Sequence, residues 1–335
     1  MKMRTAECVT PKHPDKMCDQ ISDAILDWCL EKDPNARVAI ETMGGHGKVV
    51  IMGEVTMKDG NDLVAASRAI AWTIAGKDLK IETNIVQQSA EIANGVDTGG
   101  AGDQGIMVGY ACRDNEAMIP QEAYLARLLC KYLYQKFPYD GKTQVTLNDE
   151  KEVITIVASF QNVSSKDLKE EVLAWIEACD IQCVAEVQIF ANPAGDWYQG
   201  GFDADTGLTG RKLMVDNYGP QIAVGGGAFS GKDATKVDRS AAYMARKIAV
   251  DVLKNDESLA QVMVKIAYEI GVAHPVMVTC DAIDTDGNRI FVDVMSQNKY
   301  DLTPEGIIEF LDLTKPQFEE TARWGHFGNQ FKWDK

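Results

Sequence analysis

No run in this chain approaches the ~18 consecutive apolar residues needed to cross a bilayer as a helix, so a helical membrane span is excluded on sequence. Histidine is scarce, at four in 335 residues, and none of the eight cysteines (8, 18, 29, 112, 130, 179, 183 and 280) forms a CxxC pair. Cys179 and Cys183 lie close together but have no second pair to complete a zinc site. The expectation is reduced, mostly buried thiols in a cytoplasmic protein, with no structural zinc. The opening Met1-Lys2-Met3-Arg4-Thr5-Ala6-Glu7 lacks the apolar core of a secretion signal, which points the same way. Basic charge is also short. Lys+Arg number 34 against 50 Asp+Glu, a net charge of −16. That argues against general nucleic-acid binding and against anionic membrane surfaces.

What is present is an ordinary globular composition, 45% hydrophobic and 25% charged, long enough for two or three domains. The cations are clustered. From Asp205 to Lys247 stand Arg211, Lys212, Lys232, Lys236, Arg239, Arg246 and Lys247, against Asp205, Asp216, Asp233 and Asp238. This window carries +3 and the rest of the chain −19. A positive island in an acidic protein fits a phosphate or carboxylate site; a solvated basic helix face is the plainer alternative.

Apolar periodicity predicts helices over 16–30, about 63–74, 122–135, 168–179 and about 236–254, and a final helix opening at Pro304. Strands are predicted at 38–43 and 49–57 around Gly44-Gly45-His46-Gly47, at 144–147 and 153–160 around Asn148-Asp149, at 184–190, and near 262–271 and 276–281. The elements recur in three blocks of roughly 100 residues. They predict an α+β fold with mixed to antiparallel sheets and helices on one face. In chain order the division is 1–92, 93–198 and 199–335, with room for the spatial domains to interleave.

Five stretches carry chemistry. Gly100-Ala101-Gly102-Asp103-Gln104-Gly105 matches GxGxxG, but strand-like residues follow it where a dinucleotide site needs a helix, so it reads as a turn or as a loop carrying Asp103 into a polar site. Gly226 to Asp233 matches GxxxxGK, yet Asp233 stands where a P-loop needs Ser or Thr. Exposed amides, Lys232 and a following helix with Lys236 and Asp238 still suit phosphate binding. Gly207-Leu208-Thr209-Gly210-Arg211-Lys212 sets two cations after a Gly-bounded turn, either a phosphate clamp or an exposed basic turn. His13-Pro14-Asp15-Lys16 crowds three ionisable groups at a helix start, where Asp15 alone would serve as a cap. Glu41 and Glu54 sit in strands, harmless on a solvated face but in need of cations if covered.

Taken in order, His13-Pro-Asp-Lys-x-x-Asp-Gln-Ile-Ser-Asp-Ala24, the 100–105 and 207–212 stretches, Gly225-Gly-Gly-Ala-Phe-Ser-Gly-Lys-Asp233 and Lys236-Val-Asp-Arg-Ser-Ala-Ala-Tyr243 resemble the S-adenosylmethionine synthetase family. The resemblance runs from about Thr5 to Gly325-His-Phe-Gly328. It implies three similar α+β domains about a pseudo-threefold. It also implies a reaction of ATP with L-methionine in which the sulfur displaces the whole triphosphate from the ribose 5′ carbon, followed by hydrolysis of the triphosphate to pyrophosphate and phosphate. Two Mg²⁺ and one K⁺ are implied, with homodimers sharing active sites and in some members pairing into tetramers. Such a reaction needs no protein nucleophile, in keeping with the absence of a Ser/His/Asp or Cys/His triad.

Carried onto this sequence, the resemblance places His13 beside the 5′ oxygen and Lys142 at the same leaving group or near the methionine carboxylate. Arg211, Lys212, Lys232 and Lys236 would neutralise phosphates. Asp15 and Asp238 would each hold a magnesium, and Glu41 the potassium. Glu54, Gln88, Asp205 and a neighbouring subunit's Asp103 would bind methionine. Phe229 and Trp197 would line the nucleotide side, and 95–105 would be a gating loop. The chain departs from the family at Lys12, where Gly is usual, at Val224, where His is common, at Asp196-Trp197, where Arg-Phe is common, and in a short segment between Asp97 and Gly100. A hydrolase that kept only the triphosphate half-reaction would use the same cations. A non-catalytic nucleotide-binding subunit would not need His13, Lys142 and Asp238.

Overall fold

The computed structural model describes residues 3–88, 99–296 and 299–335. Its strands are β1 (Arg4–Val9), β2 (Arg37–Gly45), β3 (Lys48–Thr56), β4 (Lys80–Val86), β5 (Gly105–Cys112), β6 (Gly141–Leu147), β7 (Val153–Phe160), β8 (Cys183–Ala191), β9 (Gly207–Leu208), β10 (Leu259–Tyr268), β11 (Met277–Asp284) and β12 (Arg289–Phe291). The helices are α1 (Pro14–Lys32), α2 (Leu63–Ala75), α3 (Gln121–Lys136), α4 (Ser165–Ala178), α5 (Leu213–Asp216), α6 (Val237–Asn255), α7 (Pro304–Leu311) and α8 (Phe318–Trp324). No described helix is long and apolar enough to cross a membrane.

Local signals account for many boundaries. Pro14 occupies the first turn of α1, where its missing N–H costs nothing, and Asp15 adds a favourable negative charge there. Ser164 caps α4 by accepting the Asp167 amide, and Thr303 caps α7 through the Gly306 amide, both at 3.1 Å. The β2–β3 hairpin turns at His46-Gly47 with φ of 52° and 81°, the pair of positive values that matches the twist of a two-residue hairpin. Pro304 does open a helix, but it is not the last: α8 follows.

The strands form three four-stranded sheets, ordered β1-β6-β7-β8, β4-β3-β2-β9 and β12-β11-β10-β5. The first two are mixed, with β7–β8 and β3–β4 parallel and the rest antiparallel; the third is antiparallel throughout. Helix α3 packs on the first sheet, α1 and α2 belong to the second, and α6 covers β5 and β10 of the third. One apolar core joins the second and third units around α1 and α6; a separate one fills the first between its sheet, α3 and α4.

Each sheet borrows a strand from another part of the chain. The first third lends β1 to the middle sheet, the middle third lends β5 to the last, and the last third lends β9 to the first. Divisions at 92 and 198 therefore follow chain order and cut across the sheets. The exchange carries the 207–212 turn onto the start of α1. Of the eight cysteines, six are buried, Cys183 is half-buried and Cys179 exposed.

Candidate active site

The site gathers at the N-terminal end of α1. His13 is its cap, and Nδ1 accepts the Asp15 amide at 3.1 Å. The ring is 4% exposed, and burial together with the Lys212 and Lys142 cations lowers its pKa to about 3. The ring is thus neutral, and with Nδ1 engaged as acceptor its proton is assigned to Nε2. Gly207 of β9 lies against this helix start, where a Cβ would stand 2.2 Å from Pro14 carbonyl atoms.

The basic turn follows directly. Asp15 Oδ1 accepts the Leu208 amide at 2.9 Å and faces Arg211 Nε at 3.5 Å, while Oδ2 takes Lys212 Nζ at 2.5 Å. Burial works against the charge on Asp15, but Lys212 and the Leu208 amide hold the carboxyl below its ordinary range.

A second acid–lysine pair lies on the next loop. Lys232 Nζ is 2.6 Å from Oδ2 of Asp238, in the first turn of α6. Gly227 backs that carboxylate so closely that a Cβ would stand 2.2 Å from Asp238 Cγ and Oδ1. The two loops touch: a Cβ at Gly210 would lie 2.5 Å from the Ala228 methyl. Lys236 turns to Asp233 as an ion pair.

Between these loops and the second sheet is a cleft of about 370 Å³, lined by Glu41, Met52, Glu54, Asn84, Thr209, Ser230 and Lys232 among others. In the register, Glu41 stands opposite Met52 and Ala39 opposite Glu54, so both glutamates lie on the exposed face of the hairpin. Lys142 on β6 and the exposed Asp205 are both close enough to His13 to act on its charge. Two acids at the starts of α1 and α6, each paired with a lysine from one of two touching glycine loops, beside a cleft with glutamates, could receive a metal-bound polyanion and an ammonium-bearing partner.

Family models match the chain from end to end. The S-adenosylmethionine synthetase N-terminal domain matches residues 1–98, the central domain 98–197 and the C-terminal domain 199–335. The chain belongs to the S-adenosylmethionine synthetase family. The full domain set carries methionine adenosyltransferase activity, with ATP and methionine as substrates.

The structure distributes the remaining candidate residues unevenly. Phe229 is buried in an aromatic cluster, edge-on to His326 at 4.8 Å and to Tyr243 at 5.8 Å, so its ring packs the core under the lysine loop and does not line the cleft. Trp197 donates from Nε1 to Asn192 Oδ1 at 3.2 Å and packs on Gly200. Gln88 lies just beyond β4, and its buried Oε1 has no hydrogen-bond partner among the described residues. Asp103 is exposed, and its one described hydrogen bond, at 2.8 Å, goes to the Gln104 amide. Of the 95–105 stretch, 95–98 lies outside the described residues. Ala101 is pinned by backbone bonds to Val272 and Gly271 of 3.0 and 2.8 Å, and β5 follows, as a strand-like continuation requires.

Two departures from the family pattern find local partners. The Lys12 ammonium turns away to the Ile74 carbonyl, at 2.9 Å, at the C-terminal end of α2, where a cation is favoured. Asp196 Oδ1 accepts the Ser165 amide at 2.7 Å and so supports the start of α4.

Sequence reading missed the buried groups beneath the loops. Lys16, 1% exposed, bridges Asp19 at 3.1 Å and Asp216 at 2.7 Å; burial, partly offset by Lys16, pushes Asp19 up to about 7. Arg239 grips Asp23 with both amino nitrogens, at 2.7 and 2.8 Å. The signal that could have found them is an aspartate at every fourth position of α1, from 15 to 27.

Proposed function

We propose that the methionine sulfur attacks the ribose 5′ carbon of ATP while the triphosphate departs into the two touching loops, and that the same loops then hold it for hydrolysis. A neutral thioether attacking a saturated carbon needs no protein base. The work is to align the reactants and stabilise charge on the leaving group. Arg211, Lys212, Lys232 and Lys236 supply that charge. His13, neutral and bearing its proton on Nε2, donates a hydrogen bond to the departing oxygen without having to lose a proton. Lys142 faces the same group or the methionine carboxylate. Glu54, Asp205 and Gln88 meet the methionine headgroup, and the buried Gln88 Oε1, without a partner among the described residues, is an acceptor suited to its ammonium.

The donor set fits magnesium. Asp15 and Asp238 offer hard carboxylate oxygens now matched by lysines, and the missing Cβ at Gly227 leaves the Asp238 carboxylate its place. No three His, Cys, Asp or Glu side chains converge as a metal cage among the described residues. Magnesium does not need one, because it is held by one or two carboxylates plus substrate phosphates. Two such ions would screen charge developing on the triphosphate. Glu41 in the cleft would hold potassium.

The reading includes a homodimer. Met43, Met52 and Val86 are exposed on the same open sheet face as Glu41 and Glu54, an apolar surface that a second copy would cover. Asp103 of the partner subunit would then complete the methionine site.

The observation that carries this function is the contact between the 207–212 and 225–232 loops, each presenting a lysine paired with an aspartate at a helix start. The test is incubation with ATP, methionine and Mg²⁺ across a range of K⁺, with S-adenosylmethionine and triphosphate hydrolysis followed separately. Product that requires both substrates supports the reading; phosphate release indifferent to methionine, or no product at any K⁺, contradicts it.

A further inference from the structure

Asp15, Asp19, Asp23 and Asp27 form one i, i+4 row along α1. Every member accepts a backbone N–H from the last part of the chain. Asp15 takes Leu208 at 2.9 Å, Asp19 takes Gly210 at 2.8 Å and Asp23 takes Gly231 at 2.8 Å. Asp27 takes Gln317 and Glu319 at 2.9 and 2.8 Å and Phe318 with both oxygens, which caps α8. Gly210 and Gly231 have φ of 79° and 81°, left-handed values that glycine adopts without strain.

Buried cations balance the middle of the row. Lys16 lies between Asp19 and Asp216, and Arg239 is forked onto Asp23. Arg239 also donates to the Phe229 and Lys232 carbonyls, both at 3.0 Å, so the lysine loop is held at three backbone points. Buried ion pairs like these add little net stability over apolar packing, and their best-attested use is to fix one arrangement. Here the arrangement fixed is the spacing of two loops. One four-residue step along a helix is about 6 Å: Asp19 sits under the Arg211–Lys212 turn and Asp23 under the Lys232 loop.

We propose that Asp19 and Asp23 are positioning residues, and that α1 serves as a rail setting the distance between the Arg211–Lys212 turn and the Lys232 loop so that both meet one triphosphate. The inference rests on the phosphate-binding reading of those loops. Neither aspartate touches substrate; each acts through the backbone N–H it holds.

A double-mutant cycle separates positioning from general support. The probe is inorganic tripolyphosphate with Mg²⁺, titrated calorimetrically into the full-length protein. Asp19→Asn weakens binding about tenfold by itself. Combined with Lys212→Ala it weakens binding little beyond Lys212→Ala alone, because the displaced turn has already lost its cation. Combined with Lys232→Ala the two effects multiply. If Asp19→Asn does not fold, Asp19→Glu runs the same cycle, since it keeps a charge beside Lys16 while displacing the carboxylate from Gly210. Effects that multiply with both lysine variants, or that are masked by both, overturn the rail, as does an unchanged Kd for the Asp19 variant. If Lys212→Ala and Lys232→Ala each leave the Kd unchanged, the phosphate reading itself falls and the rail falls with it.

Discussion

Lys232 Nζ stands 2.6 Å from Asp238 Oδ2 across the junction between the second glycine loop and α6, and neither charge is left over. The pair is poised for exchange. On the proposed function, an arriving polyphosphate would take the lysine, and the released carboxylate would take the cation that accompanies the phosphates. Lys212 and Asp15 repeat the arrangement on the neighbouring loop at 2.5 Å.

Asp238→Asn should abolish metal-dependent turnover while leaving the fold intact, because the amide is isosteric with the carboxylate and keeps its place against Gly227. Activity titrated against Mg²⁺, beside a thermal melt, checks this. Near-normal rates would remove Asp238 from the metal assignment.

Lys232→Ala should slow both S-adenosylmethionine formation and triphosphate hydrolysis, because one cation serves the same anion in both steps. A charge-assisted contact contributes about 1.5–3 kcal/mol, or roughly tenfold to a hundredfold in rate. Single-turnover assays that follow the two steps separately decide it; a response in only one step would mean that Lys232 is not a shared ligand.

Gly227→Ala should damage catalysis more than stability. The new methyl would fall 2.2 Å from Asp238 Cγ and push the carboxylate aside, and Gly227 has no positive φ to be strained by a Cβ. The expected pattern is a large loss of kcat with little change in Tm. Unchanged kcat would show that the Asp238 position is not critical.

His13 should not titrate near neutrality. Its pKa falls to about 3 from an ordinary 6.5 through burial and the Lys212 and Lys142 cations. The unfolded chain therefore takes up this proton first. Its stability contribution is complete above pH 6.5 and is lost as the pH falls toward 3, by about 1.4 kcal/mol per pH unit. His326, buried and held well below its usual value, acts in the same direction. Imidazole ¹⁵N spectra should show a neutral His13 ring with its proton on Nε2 at pH 6, and His13→Asn should flatten the acid side of the stability curve. A titration of His13 centred near 6.5 would contradict this.

Arg239→Ala should destabilise the protein by about 3–5 kcal/mol, the cost of leaving Asp23 buried without its partner. Urea unfolding measures it, and a change below about 1 kcal/mol would mean that the pair behaves like a surface salt bridge.

Much of the fold was legible where the signals are local. Pro14 marked the entry to α1, although the cap is His13 and Asp15 lies inside the first turn, and Gly44 to Gly47 marked the hairpin, because tight turns are settled within a few residues. The strands β1, β4 and β12 and the helix α8 were not. Arg4–Val9 finds its partner only at Gly141–Leu147. Lys80–Val86 pairs in parallel with β3 after a crossover helix. The seven residues of α8 depend on a cap from Asp27, 290 positions or more away. The cyclic exchange of strands was hidden for the same reason: no local pattern records which sheet a strand joins. In the site, the glycine loops and their cations could be read as motifs, and the sequence showed that they carry lysines beside exposed amides, which suits phosphate as well as an exposed basic turn. Phe229 could not, because a Phe inside a binding motif looks the same whether its ring faces the ligand or, as here, His326 and Tyr243. Nor could Lys16 and Asp216, whose pairing spans 200 positions.

The most direct measurement of the central claim is a crystal structure of the protein with tripolyphosphate and Mn²⁺ in place of Mg²⁺, with the metals located by anomalous scattering. The account predicts a single polyphosphate contacted by Arg211, Lys212 and Lys232, with manganese peaks beside Asp15 and Asp238. Phosphate groups bound at two unconnected places, or manganese away from both aspartates, would contradict it.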